Sequence, residues 1–163
     1  MKTMREQLTT YARYHRDRRN IATHFVGIPL IVIAVQILLS RVSVAGISLA
    51  MVASAGSAIY YIALDRRYGA AMTVVLAATL WLGATVATYS LGAWLALGLG
   101  SFVVGWGFQF VGHAFEGKKP AFVDDLIGLL IGPLFVVAEL SFALGQSAEL
   151  HTEIVSAAGP THA

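Results

Sequence analysis

Apolar residues along this chain gather into long blocks separated by short charged or turn-forming breaks. Met4, Leu8, Tyr11 and His15 recur at helical intervals, with Arg5, Arg13, Arg16 and Arg18 elsewhere around the wheel, which predicts an amphipathic helix over residues 4–18. Such a helix is expected to lie in the membrane interface, its basic side toward lipid headgroups. The run 21–39 approaches the ~20 residues needed to cross a hydrocarbon core. Asn20 offers an N-cap for it, and Pro29, helped by Gly27, should kink it. Further spans are predicted at 43–64, 70–89 and 90–111, rich in the small residues that suit close helix packing in lipid. Tyr60, Tyr61, Tyr89 and Trp94 fall near their ends, as interfacial aromatics do. A fifth apolar stretch, 122–145, opens on Asp124 and Asp125, is interrupted at Gly132-Pro133 and carries Glu139, so it reads as a clean span or as a broken or re-entrant helix. The tail 146–163 is polar, shows no period and is expected to fray. The pattern therefore predicts one all-α, polytopic membrane helix bundle over residues 1–145, with four spans, a broken or re-entrant fifth helix and an interfacial N-terminal helix.

Composition agrees. Hydrophobic residues make up 57% of the 163 and charged residues only 12%, with a mean hydropathy of +0.72; soluble domains carry about a quarter charged residues. The first apolar run follows an arginine-rich arm and is too long for the core of a cleavable signal, so none is expected. The absence of cysteine excludes disulfides, thiolate nucleophiles and sulfur-ligated metals. The pI of about 9.1 does not argue for nucleic acid, because the basic residues sit beside apolar spans, where they set topology. Taking four spans with the N-terminus inside, Lys2, Arg5, Arg13, Arg16, Arg18, Arg19, Arg66, Arg67, Lys118 and Lys119 are cytoplasmic and only Arg41 is outside. That orientation places His15, His24 and His113 at one membrane face.

Trp106, Gln109, His113 and Glu116 recur at intervals of three, four and three, forming one polar stripe. A histidine and a carboxylate at i and i+3 can meet one ion, although a solvated helix end would look the same. His24 lies one turn inside the first span, where polar groups are functional candidates. His15 and His24 are nine apart, on opposite faces of any continuous helix, so they converge only if the chain turns between them, within 17–20. Three such imidazoles at one face suggest a metal site. Asn20 reads as a cap that could also steady a ligand. Glu139 is either a carboxylate serving the site or a partner for an arginine. The arginines beside His15 suit anionic headgroups or a substrate carboxylate. Asp124 and Asp125 suit a solvated helix start, and no role is expected for His151 or His162. Gly128-x-x-x-Gly132 permits a close helix contact, within or between subunits. Sulfur-free ligation suits iron, zinc, copper or nickel; open positions would suit Fe(II) with dioxygen, zinc with an activated water would make a hydrolase, and the residues alone do not separate these.

Tyr14-His15, Asn20, His24, Gly27 and Pro29, then Trp106, Gln109-Phe110, Gly112-His113, Phe115-Glu116, Pro120, Gly132-Pro133 and Glu139 occur in an order and spacing that resemble the small membrane 2-hydroxy fatty acid dioxygenase family, over residues 10–142. The resemblance implies an Fe(II)-dependent alpha-oxidation with dioxygen as co-substrate, shortening a long-chain 2-hydroxy fatty acid by one carbon. It places the family's essential histidines, and with them the metal, on His15, His24 and His113, which the charge distribution puts at the cytoplasmic face; Glu116, Glu139 and Gln109 are the catalytic candidates. The competing readings are a zinc-dependent membrane lipid hydrolase and a non-enzymatic lipid-binding membrane protein. A transporter fits poorly, because the candidate site lies at one face instead of the midplane.

Overall fold

The computed structural model describes residues 2–120 and 126–163, so the expected helix start at Phe122, Asp124 and Asp125 lies outside the described residues. In chain order the elements are α1 (Met4–Ala12), α2 (Arg18–Ser40), a hairpin of β1 (Ser43–Val44) and β2 (Ile47–Ser48), α3 (Leu49–Leu64), α4 (Arg66–Ala87), α5 (Leu91–Glu116), α6 (Gly128–Ala143) and α7 (Ala148–Ala158). They fall into two compact units, one of Met1–Ile28 with Gly107–Ala163 and one of Pro29–Trp106.

In the Pro29–Trp106 unit the all-helical expectation holds and several boundaries move. The span expected over 43–64 yields its first six residues to the hairpin, whose tight turn puts Ala45 and Gly46 at positive φ (51° and 82°). The Ser48 hydroxyl then caps α3 by accepting from the Met51 amide at 3.2 Å. The 16 residues of α3 rise about 24 Å, short of the ~30 Å hydrocarbon core. Asp65 caps α4 through the Tyr68 amide (2.8 Å), reversing the chain after a single residue. Helices α3 and α4 pack closely because Gly69 lies on the Tyr61–Ile62 backbone; a Cβ there would stand 2.5 Å from Ile62 Cα. Inside this unit the Gln36 amide donates to the Ser54 hydroxyl at 2.8 Å, a buried polar tie between α2 and α3. The Trp94 indole donates to the Ile37 carbonyl, and Arg41 lies over the Trp94 ring while donating to the Tyr89 carbonyl. Large apolar side chains such as Ile59, Val74, Trp81 and Val103 face outward, a surface suited to lipid and not to water.

Among the described residues three helices, α2, α4 and α5, are long and apolar enough to cross a membrane, and α6 with α7, bent by 116°, would make a fourth as a broken span. Their length and composition suggest a membrane protein.

In the other unit the N-terminal helix begins at a capping box in which Thr3 and Glu6 exchange hydrogen bonds. It ends at Ala12, six residues before the expected end, so the chain turns within 13–17 instead of 17–20. Helix α2 begins at Arg18 and not at Ile21, because Asp17 accepts from the Arg19 amide (2.8 Å) and takes the capping role expected of Asn20. The tail expected to fray contains α7. Leu150 and Ile154, four apart, are buried as α7 packs on α1, and Arg5 pairs with Glu153 beside them. Helix α6 also packs on α1, with Phe135 against Tyr11, and buries Ile131, Leu134 and Ala138.

Replacing Gly69 by Ala is expected to cost about 1–3 kcal/mol by overpacking. It should lower the thermal midpoint of the detergent-solubilised protein, whereas Gly56→Ala, whose added methyl meets open space, should not.

Candidate metal centre

The turn between α1 and α2 is held from three directions. Its amides at Tyr14 and His15 donate back to Tyr11 and Ala12 (3.0 Å each), which closes the last turn of α1. From α5 the Glu116 carboxylate accepts the Arg16 amide on both oxygens (2.9 Å each), the Asp17 amide (2.8 Å) and the Asn20 side-chain amide (3.0 Å). From the C-terminal segment, His162 donates its amide to the Arg16 carbonyl and accepts from the Arg18 amide, both at 2.9 Å. The Arg16 side chain, lying beside Glu139 and Glu116, donates to the carbonyls of Ala12, His15 and Gly159. Burial lowers the Arg16 pKa, an effect those two carboxylates oppose.

This turn brings His15 and His24 together despite their spacing of nine. His15 Nδ1 lies 2.7 Å from the Tyr11 carbonyl, and His24 Nδ1 lies 2.9 Å from the Asn20 carbonyl. A carbonyl only accepts, so each Nδ1 carries the proton and each neutral ring keeps its lone pair on Nε2. The two Nε2 atoms face each other at 2.9 Å. Two lone pairs at that distance repel unless a cation or a shared proton sits between them. Burial, reinforced by the neighbouring His24, holds His15 well below the ordinary histidine pKa, so a proton is the poorer occupant. The third ring, His113, has its centroid 4.9 Å from that of His15 and 5.2 Å from that of His24. One nitrogen from each ring falls within 4.8 Å of the others, and all three residues are buried. Neutral imidazoles steadied through Nδ1 by backbone carbonyls are the form in which histidine binds metals. The donor set fits a metal ion.

Close packing brings the rings to this point. Gly112, beside His113, sits against α2: a Cβ there would stand 2.1 Å from Thr23 Oγ1 and 2.5 Å from Asn20 Oδ1. Gly132 does the same for α6, where a Cβ would stand 3.0 Å from the Tyr11 hydroxyl and 3.1 Å from Ile28 Cδ1. The close contact at Gly132 thus lies within the chain. Tyr11 stacks on His15 with centroids 4.1 Å apart and planes 5° from parallel, and Phe135 closes on both. Burial also raises the Tyr11 pKa, so it stays a neutral ring.

The other expected site residues divide. Glu116 has a side chain only 1% exposed, yet its oxygens are engaged by the 16–20 turn and it stands outside the three-nitrogen group. Asn20 steadies His24 through its carbonyl, while its own Oδ1 is buried without a hydrogen bond. Gln109, one turn before His113, is buried with no partner for Nε2. Glu139 is half-buried near Arg16 and His151, also outside the nitrogen group. Among the arginines beside His15, Arg16 is engaged by carbonyls instead of facing a ligand. Sequence reasoning missed Tyr11, Phe135 and the clasp by the C-terminal segment. Tyr11 was legible as the residue one turn before His15; Phe135 carried no signal.

A buried three-histidine group inside a membrane helical protein defines the class, a candidate membrane metalloprotein. The family model for the 2-hydroxy-palmitic acid dioxygenase Mpo1-like proteins matches residues 1–144, and the chain belongs to that family. It is 34% identical over 145 residues to the 2-hydroxy-palmitic acid dioxygenase MPO1 of Saccharomyces cerevisiae, covering 87% of this chain and 82% of that protein. No solved structure matches.

Gly112→Ala is expected to force α2 and α5 apart at the site and to weaken metal binding by about 10–100-fold, read by titration of the metal-free protein. Asp17 is held at about 2, first by the Arg19 hydrogen bond. That value lies below an unfolded carboxyl near 3.9, so the contribution is present above that pH and lost as pH falls through about 2. An Asp17→Asn variant should accordingly lose the part of the acid destabilisation that the parent shows between about pH 4 and pH 2 in thermal melts.

Proposed function

We propose that this protein is an Fe(II)-dependent dioxygenase that cleaves the C1–C2 bond of long-chain 2-hydroxy fatty acids, shortening them by one carbon at the cytoplasmic membrane face. The observation that carries the reading is the pair of imidazole lone pairs held face to face at 2.9 Å with His113 beside them. The relative's name supplies the substrate class. The side of the membrane rests on the ten-to-one distribution of basic residues, counted with the short α3 as a crossing alongside α2, α4 and α5.

The overall conversion balances without an external reductant: R–CH(OH)–COOH + O2 gives R–COOH + CO2 + H2O. The C1–C2 bond breaks, the substrate gives up four electrons, and dioxygen takes them. His15, His24 and His113 would hold the iron, and three protein donors leave room for both co-substrates. Iron bound there would supply the redox chemistry that lets dioxygen react with the hydroxy acid. The chain's own groups do the positioning. The carbonyls of Tyr11 and Asn20 fix two rings in one tautomer. The stacked Tyr11 and Phe135 keep water from one side of His15. The unpartnered Gln109 amide offers a donor to the substrate's carboxylate or hydroxyl. Glu139, beside Arg16, serves as the candidate for proton transfer. An amphiphile with its tail in the bilayer presents its carboxylate and hydroxyl at headgroup depth, where helix ends carrying these histidines would meet it.

The test is oxygen uptake by detergent-solubilised protein given 2-hydroxypalmitate. One O2 consumed and one acid a carbon shorter formed per substrate, with palmitate inert, is the expected result, and His113→Ala should lower turnover by more than about 100-fold. Product formed without oxygen, or full turnover by His113→Ala with normal iron content, would overturn the proposal.

A further inference from the structure

Glu116 stands three residues beyond His113 and is the obvious fourth ligand, yet its carboxylate accepts hydrogen bonds from the turn between α1 and α2. Oε2 accepts from the Arg16 amide (2.9 Å), the Asp17 amide (2.8 Å) and Asn20 Nδ2 (3.0 Å), while Oε1 shares the Arg16 amide (2.9 Å) and lies 4.0 Å from Lys118 Nζ. Charged carboxylates accepting backbone amides make some of the stronger hydrogen bonds in proteins, and with its side chain 1% exposed this one has no competing water. What it holds is the segment between two of the three histidines: His15 directly precedes Arg16, and Asn20 supplies the carbonyl on His24 Nδ1. The same α5 helix carries His113 one turn earlier.

We propose that Glu116 is a positioning residue of the metal centre and not one of its ligands: it ties the α5 end that carries His113 to the turn that carries His15 and leads to His24, and so sets the spacing of all three nitrogens. This rests on the three histidines holding a metal, but not on the reaction that the metal supports. The oxygens are unequally used, which gives the idea a sharp consequence. Glutamine can place its single oxygen where Oε2 accepts three donors, at the cost of an amide NH2 facing the Arg16 N–H where Oε1 now accepts, so it should substitute far better than alanine. Alanine removes every contact.

The experiment is a titration of Co(II) into metal-free protein in detergent, read by the visible Co(II) bands and by the rate of release to a chelator. Circular dichroism melts establish that each variant is folded. Glu116→Gln should bind within about 10-fold of the parent and show the same bands, while Glu116→Ala should bind about 10–100-fold more weakly with altered bands. Asn20→Ala, which leaves the backbone carbonyl on His24 in place, should release Co(II) about fivefold faster, the effect of one ordinary hydrogen bond. Parent affinity and bands in Glu116→Ala would overturn the proposal. So would changed bands and equal weakening in Glu116→Gln and Glu116→Ala, which would make Glu116 a ligand. If Glu116→Ala does not fold, a parent-like release rate in Asn20→Ala overturns it. Failure of the parent itself to bind Co(II) would instead remove the metal reading on which it rests.

Discussion

Two neutral imidazoles cannot rest with their lone pairs 2.9 Å apart without something positive between them, and this chain spends much of its local structure holding them there. Each Nδ1 is committed to a carbonyl one helical turn earlier, Tyr11 for His15 and Asn20 for His24, so neither ring can relieve the repulsion by exchanging tautomers. Burial removes protonation as the easy remedy at His15. The turn that sets the two rings against each other is pinned by Glu116 on α5 and by the His162 backbone in the C-terminal segment. A fold would not keep such an arrangement for packing alone, because three apolar side chains would fill the space without the conflict.

The same constraint explains where small residues are needed. His113 reaches the pair because α5 comes close to α2 at Gly112, and Tyr11 stacks beneath His15 because Gly132 leaves room for it. In lipid, apolar burial does not drive helices together, so close backbone approach and buried polar ties carry more of the association. The Gln36–Ser54 bond and the Gly69 contact play that part in the Pro29–Trp106 unit. Polar groups left over in such surroundings are costly, which makes the unpartnered Gln109 amide beside the histidines a candidate for meeting the polar end of a substrate.

Much of this was legible in the sequence. Long apolar blocks identified a helical membrane protein, and the three histidines at block ends identified the group that comes together. What was not legible lay in tertiary contacts. The period of Met4, Leu8, Tyr11 and His15 suggested one helix through residue 18, but the partners that end it, the Glu116 carboxylate and the 159–162 backbone, are about a hundred or more residues away. The tail looked structureless because its apolar signal is only Leu150 and Ile154, enough for a helix once α1 offers a surface. The stripe of Gln109, His113 and Glu116 was real, yet spacing alone could not show that Glu116 faces amides while His113 faces imidazoles.

The central claim, that the histidine group holds iron, is tested most directly by elemental analysis of protein purified anaerobically in detergent without a metal-affinity column. About one iron per chain in the parent, lost in His24→Ala, is the result this account predicts. A stoichiometric zinc content, or no metal at all in gently purified and folded protein, would contradict it.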